Sequence, residues 1–243
     1  MSRTDSAAGS PAASVQLGSA TSDEIASSRP VLVVPIGSLE QHGPHLPLDT
    51  DTRIATAVAV ALAEAVADAR VAPAIGIGAS GEHDGFAGTL SIGSAALEEV
   101  VVELVRSADH FAAVVLVNAH GGNSATLRSA TARLAAEGRR VRLCRCAVPD
   151  GDPHAGRTET SLLLHLAPDL VRADRAEAGN TAPWAELADA ILAGGLIAVT
   201  HNGVLGDPAG ATAQEGRTLF ERMAVAVIDD VTGWLAMSGE QRG

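Results

Sequence analysis

Short apolar runs that alternate with helical patterns constrain the fold of this chain more than any other feature. Val31–Ile36 is apolar throughout, and residues 113–117 form a second run of this kind. Runs without polar alternation are typical of strands that are covered on both faces. Residues 51–69 instead carry apolar side chains at helical spacing, beginning with Ile54 and Val58. This alternation predicts βαβ units and a mainly parallel sheet flanked by helices.

The predicted elements follow the alternation along the chain. Strands are expected at residues 31–36, 71–77, 113–117 and 141–147. Helices are expected at residues 51–69, 95–108, 123–137, 158–166, 184–192 and 214–235. The predicted fold class is α/β, a single three-layer domain over residues 15–243 with helices on both faces of the sheet. Residues 1–14 are rich in Ser, Ala, Gly and Pro without periodicity, which predicts a disordered tail.

The composition argues against several classes of function. A net charge of −12 disfavours nucleic-acid binding, and the absence of Lys excludes Schiff-base chemistry and a phosphate-loop lysine. We find no signal-peptide pattern and no apolar stretch of about 20 residues, so we expect no membrane partner and a cytoplasmic location. Cys144 and Cys146 lie two residues apart, which favours two buried apolar thiols and leaves a thiolate metal pair as the alternative.

The first polar cluster lies between the first strand and the helix that follows it. Glu40 and His42 are two residues apart, so they share a face of an extended chain. Asp51 stands at the start of the next helix, where a carboxylate is favoured. Carboxylate oxygens together with imidazole suit zinc, manganese or iron(II). The alternative is a surface glutamate, a structural histidine and a capping aspartate.

A histidine follows the strand predicted at residues 113–117. His120 lies at the carboxyl end of that strand, the edge at which parallel sheets bind ligands. Gly121 and Gly122 let the backbone approach a ligand, and Asn123 is a good N-cap for the following helix. His120 is therefore a candidate metal ligand, with a core histidine as the alternative.

Two further ionisable residues lie near the helix predicted at residues 158–166. Glu159 falls in its first turn, either as a metal ligand or as part of a capping box that serves only the helix. His154 is a candidate proton carrier because the ordinary pKa of histidine lies near neutrality. The alternative for His154 is an ordinary loop histidine.

Three glycines, Gly76, Gly78 and Gly81, spell the G-x-G-x-x-G pattern of a dinucleotide site. That motif must open a helix, but here the sequence continues with a loop that begins with Glu82 and His83. We therefore expect a substrate-facing loop, with Glu82 and His83 as candidate substrate contacts beside Gly121 and Gly122.

Three stretches resemble motifs of the creatininase (creatinine amidohydrolase) family. They are PIGSLEQHGPHLPLDTD at residues 35–51, NAHGGN at residues 118–123 and HAGRTETS at residues 154–161. The resemblance covers residues 31–166 in register. It implies a creatininase-like α/β fold, a homo-oligomer that is often a hexamer, and two divalent metal ions bridged by water.

The resemblance also implies roles for individual residues. By this resemblance one ion is held by Glu40 and His120, the other by His42, and both by the bridging carboxylate of Asp51. His154 matches the catalytic histidine of the family.

Position 122 departs from the family pattern. Creatininase has a glutamate two residues after the histidine of the second motif, where this chain has Gly122. Glu159 is the nearest matched carboxylate and is our predicted replacement in the second metal site. The departure, together with the scarcity of aromatic residues, argues against creatinine as the substrate.

Within the family, residues 80–83, 156–160 and 202–208 most resemble a peptidase branch that removes a C-terminal Val-Tyr dipeptide from a ribosomally made precursor peptide. The resemblance thus implies a short precursor peptide as substrate, whereas residue chemistry alone reaches only amide hydrolysis. We expect a binuclear metal-dependent amidohydrolase that uses zinc, iron(II) or manganese to activate water, with His154 passing a proton to the leaving amine. A deformylase or cyclic-amide hydrolase is the alternative enzyme, and a catalytically inactive binding module is the alternative of another class.

Overall fold

Four parallel strands organise the chain in the computed structural model, which describes residues 15–237. The strands are β1 (Val31–Ile36), β2 (Ala69–Val71), β3 (Ala113–Asn118) and β4 (Val141–Arg145). They lie in the order β2–β1–β3–β4, and each neighbouring pair is parallel. This sheet confirms the predicted α/β class. The tail predicted at residues 1–14 lies outside the described residues.

All six predicted helices are present, and one more precedes the first strand. The helices within the described residues are α1 (Ser22–Ser28), α2 (Thr50–Ala65), α3 (Gly93–Arg106), α4 (Ser124–Ala136), α5 (Arg157–Leu166), α6 (Trp184–Gly194) and α7 (Ala213–Met237). The sequence analysis missed α1, although Thr21 and Glu24 close a capping box at its start. Its signal in the sequence is the T-x-x-E spacing of those two residues.

The alternation of side chains along β1 divides the core into two parts. Val31 and Val33 face the side on which α2, α5 and α7 pack. Leu32, Val34 and Ile36 face the other side, on which α3 and α4 pack. Because both faces of β1 are covered, every residue of this strand is buried. The structure thus has the three layers that the sequence predicts.

The strand predicted at residues 71–77 is wrong in extent. β2 ends at Val71, and Pro73, which has no N–H group to donate to a ladder, follows two residues later. Beyond Val71 the chain forms an isolated bridge with β1 between Ile75 and Ile36 but no further strand.

The helix predicted at residues 51–69 is also too long. α2 ends at Ala65, and Asp68 turns the chain with a φ of +54°, so that Ala69 already begins β2. No helix within residues 15–237 has both the length and the apolarity needed to cross a membrane.

The carboxyl ends of β1 and β3 lie side by side, because Ile36 pairs with Asn118. The segments that leave these two strands carry Glu40, His42 and His120. The topology thereby brings residues about 80 positions apart in sequence to one edge of the sheet, where ligands of parallel sheets bind.

Candidate metal centre and cleft

Candidate ligands from separate segments meet at this edge of the sheet. Glu40 and His42, which follow β1, are 0% exposed. Asp51, in the first turn of α2, is 2% exposed, and His120, which follows β3, is 4% exposed. Glu159 lies in the first turn of α5 and is partly buried. Ionisable groups are rarely buried at this density unless they are paired or bind a metal.

Three groups of three side chains could each hold a metal ion, and Asp51 belongs to two of them. We call Glu40, Asp51 and His120 the Glu40 set, and we call His42, Asp51 and Glu159 the Glu159 set. In the Glu40 set, Nδ1 of His120 lies 3.2 Å from Oε1 of Glu40 and 3.2 Å from Oδ2 of Asp51. In the Glu159 set, Nε2 of His42 lies 3.2 Å from Oδ1 of Asp51 and 3.9 Å from Oε2 of Glu159. The two oxygens of Asp51 therefore face different sets, as a bridging ligand requires.

Backbone carbonyl groups determine which ring nitrogen of each histidine is free. Nδ1 of His42 lies 3.1 Å from the carbonyl oxygen of Glu40, and Nε2 of His120 lies 3.1 Å from that of Ala79. Because a carbonyl oxygen only accepts hydrogen bonds, we assign protons to these two nitrogens. The other nitrogens, Nε2 of His42 and Nδ1 of His120, face the carboxylates. This is the arrangement by which a neighbouring acceptor orients a histidine ligand toward a metal.

A buried hydroxyl group holds the shared carboxylate. Oγ of Ser38 donates to Oδ2 of Asp51 at 2.6 Å, and Ser38 is 0% exposed. The sequence analysis missed this residue, although Ser38, Glu40 and His42 alternate along one extended segment. The i, i+2, i+4 spacing is the signal that places Ser38 on the same side as the two candidate ligands.

The carboxylates control the protonation of both histidines. Burial alone lowers the pKa of His42, but neighbouring carboxylates, led by Asp51, outweigh it and raise this pKa to about 10. Burial also lowers the pKa of His120, yet Glu40 and other carboxylates hold it well above its ordinary value. In the absence of another cation, both imidazoles therefore keep a second proton at neutral pH.

Divalent cations fit this set of donors. Both oxygens of Glu40 are buried and accept no hydrogen bond within the described residues. Ring nitrogens of His83 and His120 lie 3.1 and 3.2 Å from its Oε1, but not in hydrogen-bonding geometry. A buried carboxylate without hydrogen bonds is costly unless a cation neutralises it. Carboxylate and imidazole donors suit zinc, manganese and iron(II).

Glu159 has a second contact besides His42. Its Oε2 accepts a hydrogen bond from the N–H of Ala155 at 2.6 Å, and burial raises the pKa of Glu159 to about 7. The capping box considered for this helix is not formed, because the N-cap residue is Gly156. Asp152 instead accepts the N–H groups of the first two residues of α5. Glu159 is thus not needed as the main cap.

His154 lies beside the two sets with one ring nitrogen committed to the backbone. Its Nε2 lies 2.9 Å from the carbonyl oxygen of Gln41, so we place the proton there, and its Nδ1 faces Oε1 of Glu40 at 3.9 Å. Burial and the nearby His42 lower the pKa of His154 well below its ordinary value. His154 is therefore a neutral base at pH 7, with Nδ1 as the nitrogen that can take a proton. A third possible metal group combines it with Glu40 and His42.

Gln41 orients His83 through its side-chain amide and His154 through its carbonyl oxygen. The sequence analysis missed this role. Its amide Nε2 donates to the carbonyl oxygen of Gly203 at 3.0 Å and lies 3.1 Å from Nδ1 of His83. The second ring nitrogen of His83, Nε2, then points toward Glu40. Position 41 lies between two candidate ligands that share a face, so alternation directs its side chain to the other face and could have indicated a separate, supporting role.

A large cleft opens onto the Glu40 set, through Glu40 and His120. Its volume is about 1080 Å³. The residues from the sequence analysis that line it are Glu40, Glu82, His83, His120, Gly121, Gly122 and His154. The four candidate substrate contacts thus share one cleft with candidate ligands from both strand ends. Their roles stay predictions.

The profile of the creatininase family, described as creatinine amidohydrolase, matches residues 17–231. This chain belongs to the creatininase family. It is accordingly a metal-dependent hydrolase, and the creatininase resemblance of the three sequence motifs is confirmed.

Relatives and solved structures agree with this membership. The chain is 52% identical over 224 residues to the mycofactocin precursor peptide peptidase of Mycolicibacterium smegmatis. This match covers 90% of this chain and 91% of that protein. It is 53% identical over 230 residues to the protein of the same name from Mycobacterium tuberculosis, with 90% and 92% covered. The solved structure named Creatininase Mn has a TM-score of 0.76 and 28% identity, and the match covers 89% of this chain and 97% of that one.

Gly122, the position that departs from the creatininase pattern, makes room for another carboxylate. A Cβ atom at position 122 would overlap Oε1 of Glu82 and the ring of His120. Oε1 of Glu82 lies 3.3 Å from Nε2 of His120, the nitrogen that faces away from the Glu40 set. Glu82 belongs to none of the possible metal groups among the described residues, whereas Glu159 does. The geometry thus favours Glu159 over Glu82 as the replacement ligand.

The remaining predictions near the site have mixed outcomes. The glycine pattern at residues 76–81 leads into a short 3-10 helix, Gly81–His83, and not into an α-helix. Asn123 occupies the N-cap position of α4, but its side chain makes no cap bond. It instead bonds the N–H of Ala79 and the carbonyl of Gly37, each at 2.9 Å. The predicted capping role was therefore wrong, because Asn123 joins the loop after β2 to the end of β1.

The two cysteines lie outside the possible metal groups of the described residues. Both Cys144 and Cys146 are free thiols, and burial raises the pKa of Cys144 to about 12. A thiol with a pKa this high remains protonated at neutral pH, which does not favour thiolate coordination.

Proposed function

We propose that this chain is a binuclear metal-dependent peptidase that removes the C-terminal Val-Tyr dipeptide from the mycofactocin precursor peptide. The observation that carries the proposal is the pair of ligand sets joined by Asp51, of which the Glu40 set lines the cleft. Relatives at 52% and 53% identity that are named for this peptidase activity support the choice of substrate. The cleft of about 1080 Å³ also suits a peptide better than a small cyclic amide.

The donor types indicate where the ions belong. The Glu40 set and the Glu159 set would each hold one divalent ion, which is zinc, iron(II) or manganese by its carboxylate and imidazole ligands. When bound, such ions supply Lewis-acid activation of water and of the amide carbonyl group. Everything else in the reaction is left to side chains and backbone groups of this chain.

His154 carries the proton in the proposed reaction. Its Nε2 proton is held by the carbonyl of Gln41, so only Nδ1 can take the proton that the attacking water loses. The lowered pKa of His154 means that this nitrogen is free at neutral pH and readily passes the proton on to the leaving amine. Amide hydrolysis requires that transfer, because an unprotonated amine anion is a very poor leaving group.

The Gly121–Gly122 turn is suited to the oxygen that becomes negative during the attack. Neither N–H group donates a hydrogen bond to another described residue, and both residues line the cleft. Gly121 has open space where a side chain would be. Free backbone N–H groups aimed at a developing oxyanion can contribute about 100-fold or more to the rate.

Mass spectrometry of a peptide digest tests the proposal directly. Metal-loaded protein incubated with a synthetic peptide that ends in Val-Tyr should release the free dipeptide and the shortened peptide. Chelation should stop the reaction, and added metal should restore it. His154→Ala should be nearly inactive, whereas His201→Ala, which changes an exposed histidine outside the cleft, should behave like the parent. Full activity in thoroughly metal-free protein, or cleavage only at internal bonds, would rule out the proposal.

Three finer points belong to the same proposal. Two ions per chain are expected by elemental analysis of the purified protein. A homo-oligomer, hexameric by family resemblance, is expected by light scattering. A cytoplasmic location is expected from fractionation of the source cells.

A further inference from the structure

Two arginines line the cleft without a carboxylate partner. Arg128 lies on α4, and Arg145 is the last residue of β4. Neither forms an ion pair or a side-chain hydrogen bond with another described residue. Several arginines elsewhere, such as Arg142 and Arg157, are paired with carboxylates. In a chain with a net charge of −12, unpaired cations inside the active cleft indicate a place for an anionic group.

Further donors lie next to these arginines. Ser124 stands one helical turn before Arg128 and lines the same cleft. Its Oγ is buried and has no hydrogen-bond partner within the described residues. Ser124 is also the first residue of α4, so the positive end of that helix dipole lies here. The hydroxyl, the helix terminus and the two guanidinium groups all favour an anion.

Apolar side chains also line the cleft. Trp184, Ile191 and Leu196 line it with apolar surface. Trp184 is 53% exposed, so its indole ring is available for contact. A ligand that fits both the arginines and the apolar lining carries a negative group beside apolar or aromatic side chains, which is the chemistry of the last residues of a peptide that ends in a free acid.

We propose that Arg128 and Arg145 bind the C-terminal carboxylate of the peptide substrate and so determine which amide bond reaches the metal centre. This inference rests on the proposed peptidase function. Guanidinium groups bind carboxylates through paired N–H donors, which fixes the orientation as well as the position of the chain end. The cleaved bond is then fixed by its distance in residues from the free C-terminus.

Peptides with a free and a blocked C-terminus test the subsite. The two synthetic peptides have the same sequence ending in Val-Tyr, one as the free acid and one as the C-terminal amide. The parent enzyme should show a kcat/KM about 10- to 100-fold higher for the acid, because the amide removes a charge-assisted interaction. Arg128→Gln and Arg145→Gln should each reduce that preference, mainly through KM, and the double variant should lose it.

Control variants separate charge from local structure. Arg145→Lys and Arg128→Lys should keep part of the preference, because the positive charge remains while the paired donors are lost. Arg222→Gln removes an exposed arginine on α7 outside the cleft and should leave the preference unchanged. Equal cleavage of acid and amide by the parent enzyme, or a preference that survives in the double glutamine variant, would overturn the subsite.

Equilibrium binding distinguishes failure of the subsite from failure of the proposed function. Calorimetry with the dipeptide Val-Tyr and its amide requires no turnover. If neither peptide is cleaved but the parent binds Val-Tyr more tightly than its amide, and the double variant does not, the subsite stands and the peptidase proposal fails. If peptides are cleaved but the parent binds Val-Tyr and its amide with equal affinity, the peptidase proposal stands and the subsite fails.

Discussion

The Glu40 set and the Glu159 set share Asp51, yet the protein holds their other members differently. Glu40 and His120 follow adjacent strands, are almost fully buried and lie 3.2 Å apart. Glu159 belongs to the start of a helix, keeps 17% of its side chain exposed and lies 3.9 Å from His42. Ligands whose side chains are fully buried and held by rigid elements keep a closer geometry than ligands whose side chains are partly exposed. We therefore expect the Glu40 set to bind its ion more tightly than the Glu159 set.

Removing the shared carboxylate should remove both ions and have the largest effect. Asp51→Asn keeps the shape of the side chain but deprives both sets of a charged bridging ligand. Turnover should fall by about 1,000-fold or more, since bound metal ions contribute several kcal/mol of charge stabilisation to the transition state. Elemental analysis and peptide hydrolysis measure the two effects. Asp49→Asn, two residues away and paired on the surface with Arg53, should retain both ions.

Glu159→Gln should separate the two sets. The variant should lose one ion per chain and about 100-fold in turnover, while the Glu40 set keeps its ion. Stability should change by only about 0.5–1 kcal/mol, because a glutamine oxygen can still accept the N–H of Ala155.

The matched control for Glu159 is Asp152→Asn, which weakens the actual cap of α5. It should lower the melting temperature more than Glu159→Gln does and should retain both ions. Two ions retained in Glu159→Gln with near-normal turnover would exclude the ligand role, and Glu82 would become the leading alternative.

Ser38→Ala tests whether the orientation of the bridge matters to both sets equally. Loss of the hydrogen bond to Oδ2 of Asp51 should weaken metal binding about 10- to 100-fold, as is typical for groups that orient a ligand. Because Oδ2 faces His120, the ion of the Glu40 set should weaken more. Metal titrations that resolve the two sites measure this, with exposed Ser129→Ala as the control. Equal weakening of both sites would contradict the division of Asp51 between them.

The pH dependence of metal-free protein should show the smallest effect. The pKa of His42 is raised to about 10 in the folded chain, so its contribution to stability is complete below its ordinary pKa near 6.5. That contribution is lost as pH rises from about 6.5 to 10, and the melting temperature of metal-free protein should fall over this range. Metal-loaded protein should resist the fall, because the ion replaces the proton on Nε2 of His42. A melting temperature of metal-free protein that rises with pH between 7 and 10 would contradict the protonated state of His42.

Local signals account for the parts of the fold that the sequence predicts well. The apolar run of β1 and the helical spacing in α2 appear at their expected places, since periodicity depends on which face of an element is covered. The predicted extent of β2 was wrong because it followed the apolar residues at 71–77 and gave too little weight to Pro73, which interrupts a strand. Similarly, Asn123 has the residue type and position of an N-cap, but its side chain forms hydrogen bonds with Ala79 and Gly37, which are distant in sequence. The T-x-x-E spacing of Thr21 and Glu24 does indicate the start of α1, although the sequence analysis did not predict this helix.

The sequence by itself determined that candidate ligands stand at strand ends and helix starts, and that position 122 lacks the carboxylate of creatininase. Only the tertiary structure decided that Glu159 lies beside His42 and Asp51, while Glu82 fills the space over Gly122. Residue spacing cannot make that choice, because the two carboxylates belong to separate segments whose positions depend on packing. The same reason applies to the ring nitrogen of His120 that the carbonyl group of Ala79 leaves free, and to Arg128 and Arg145, which line the same cleft as Glu40 and His120.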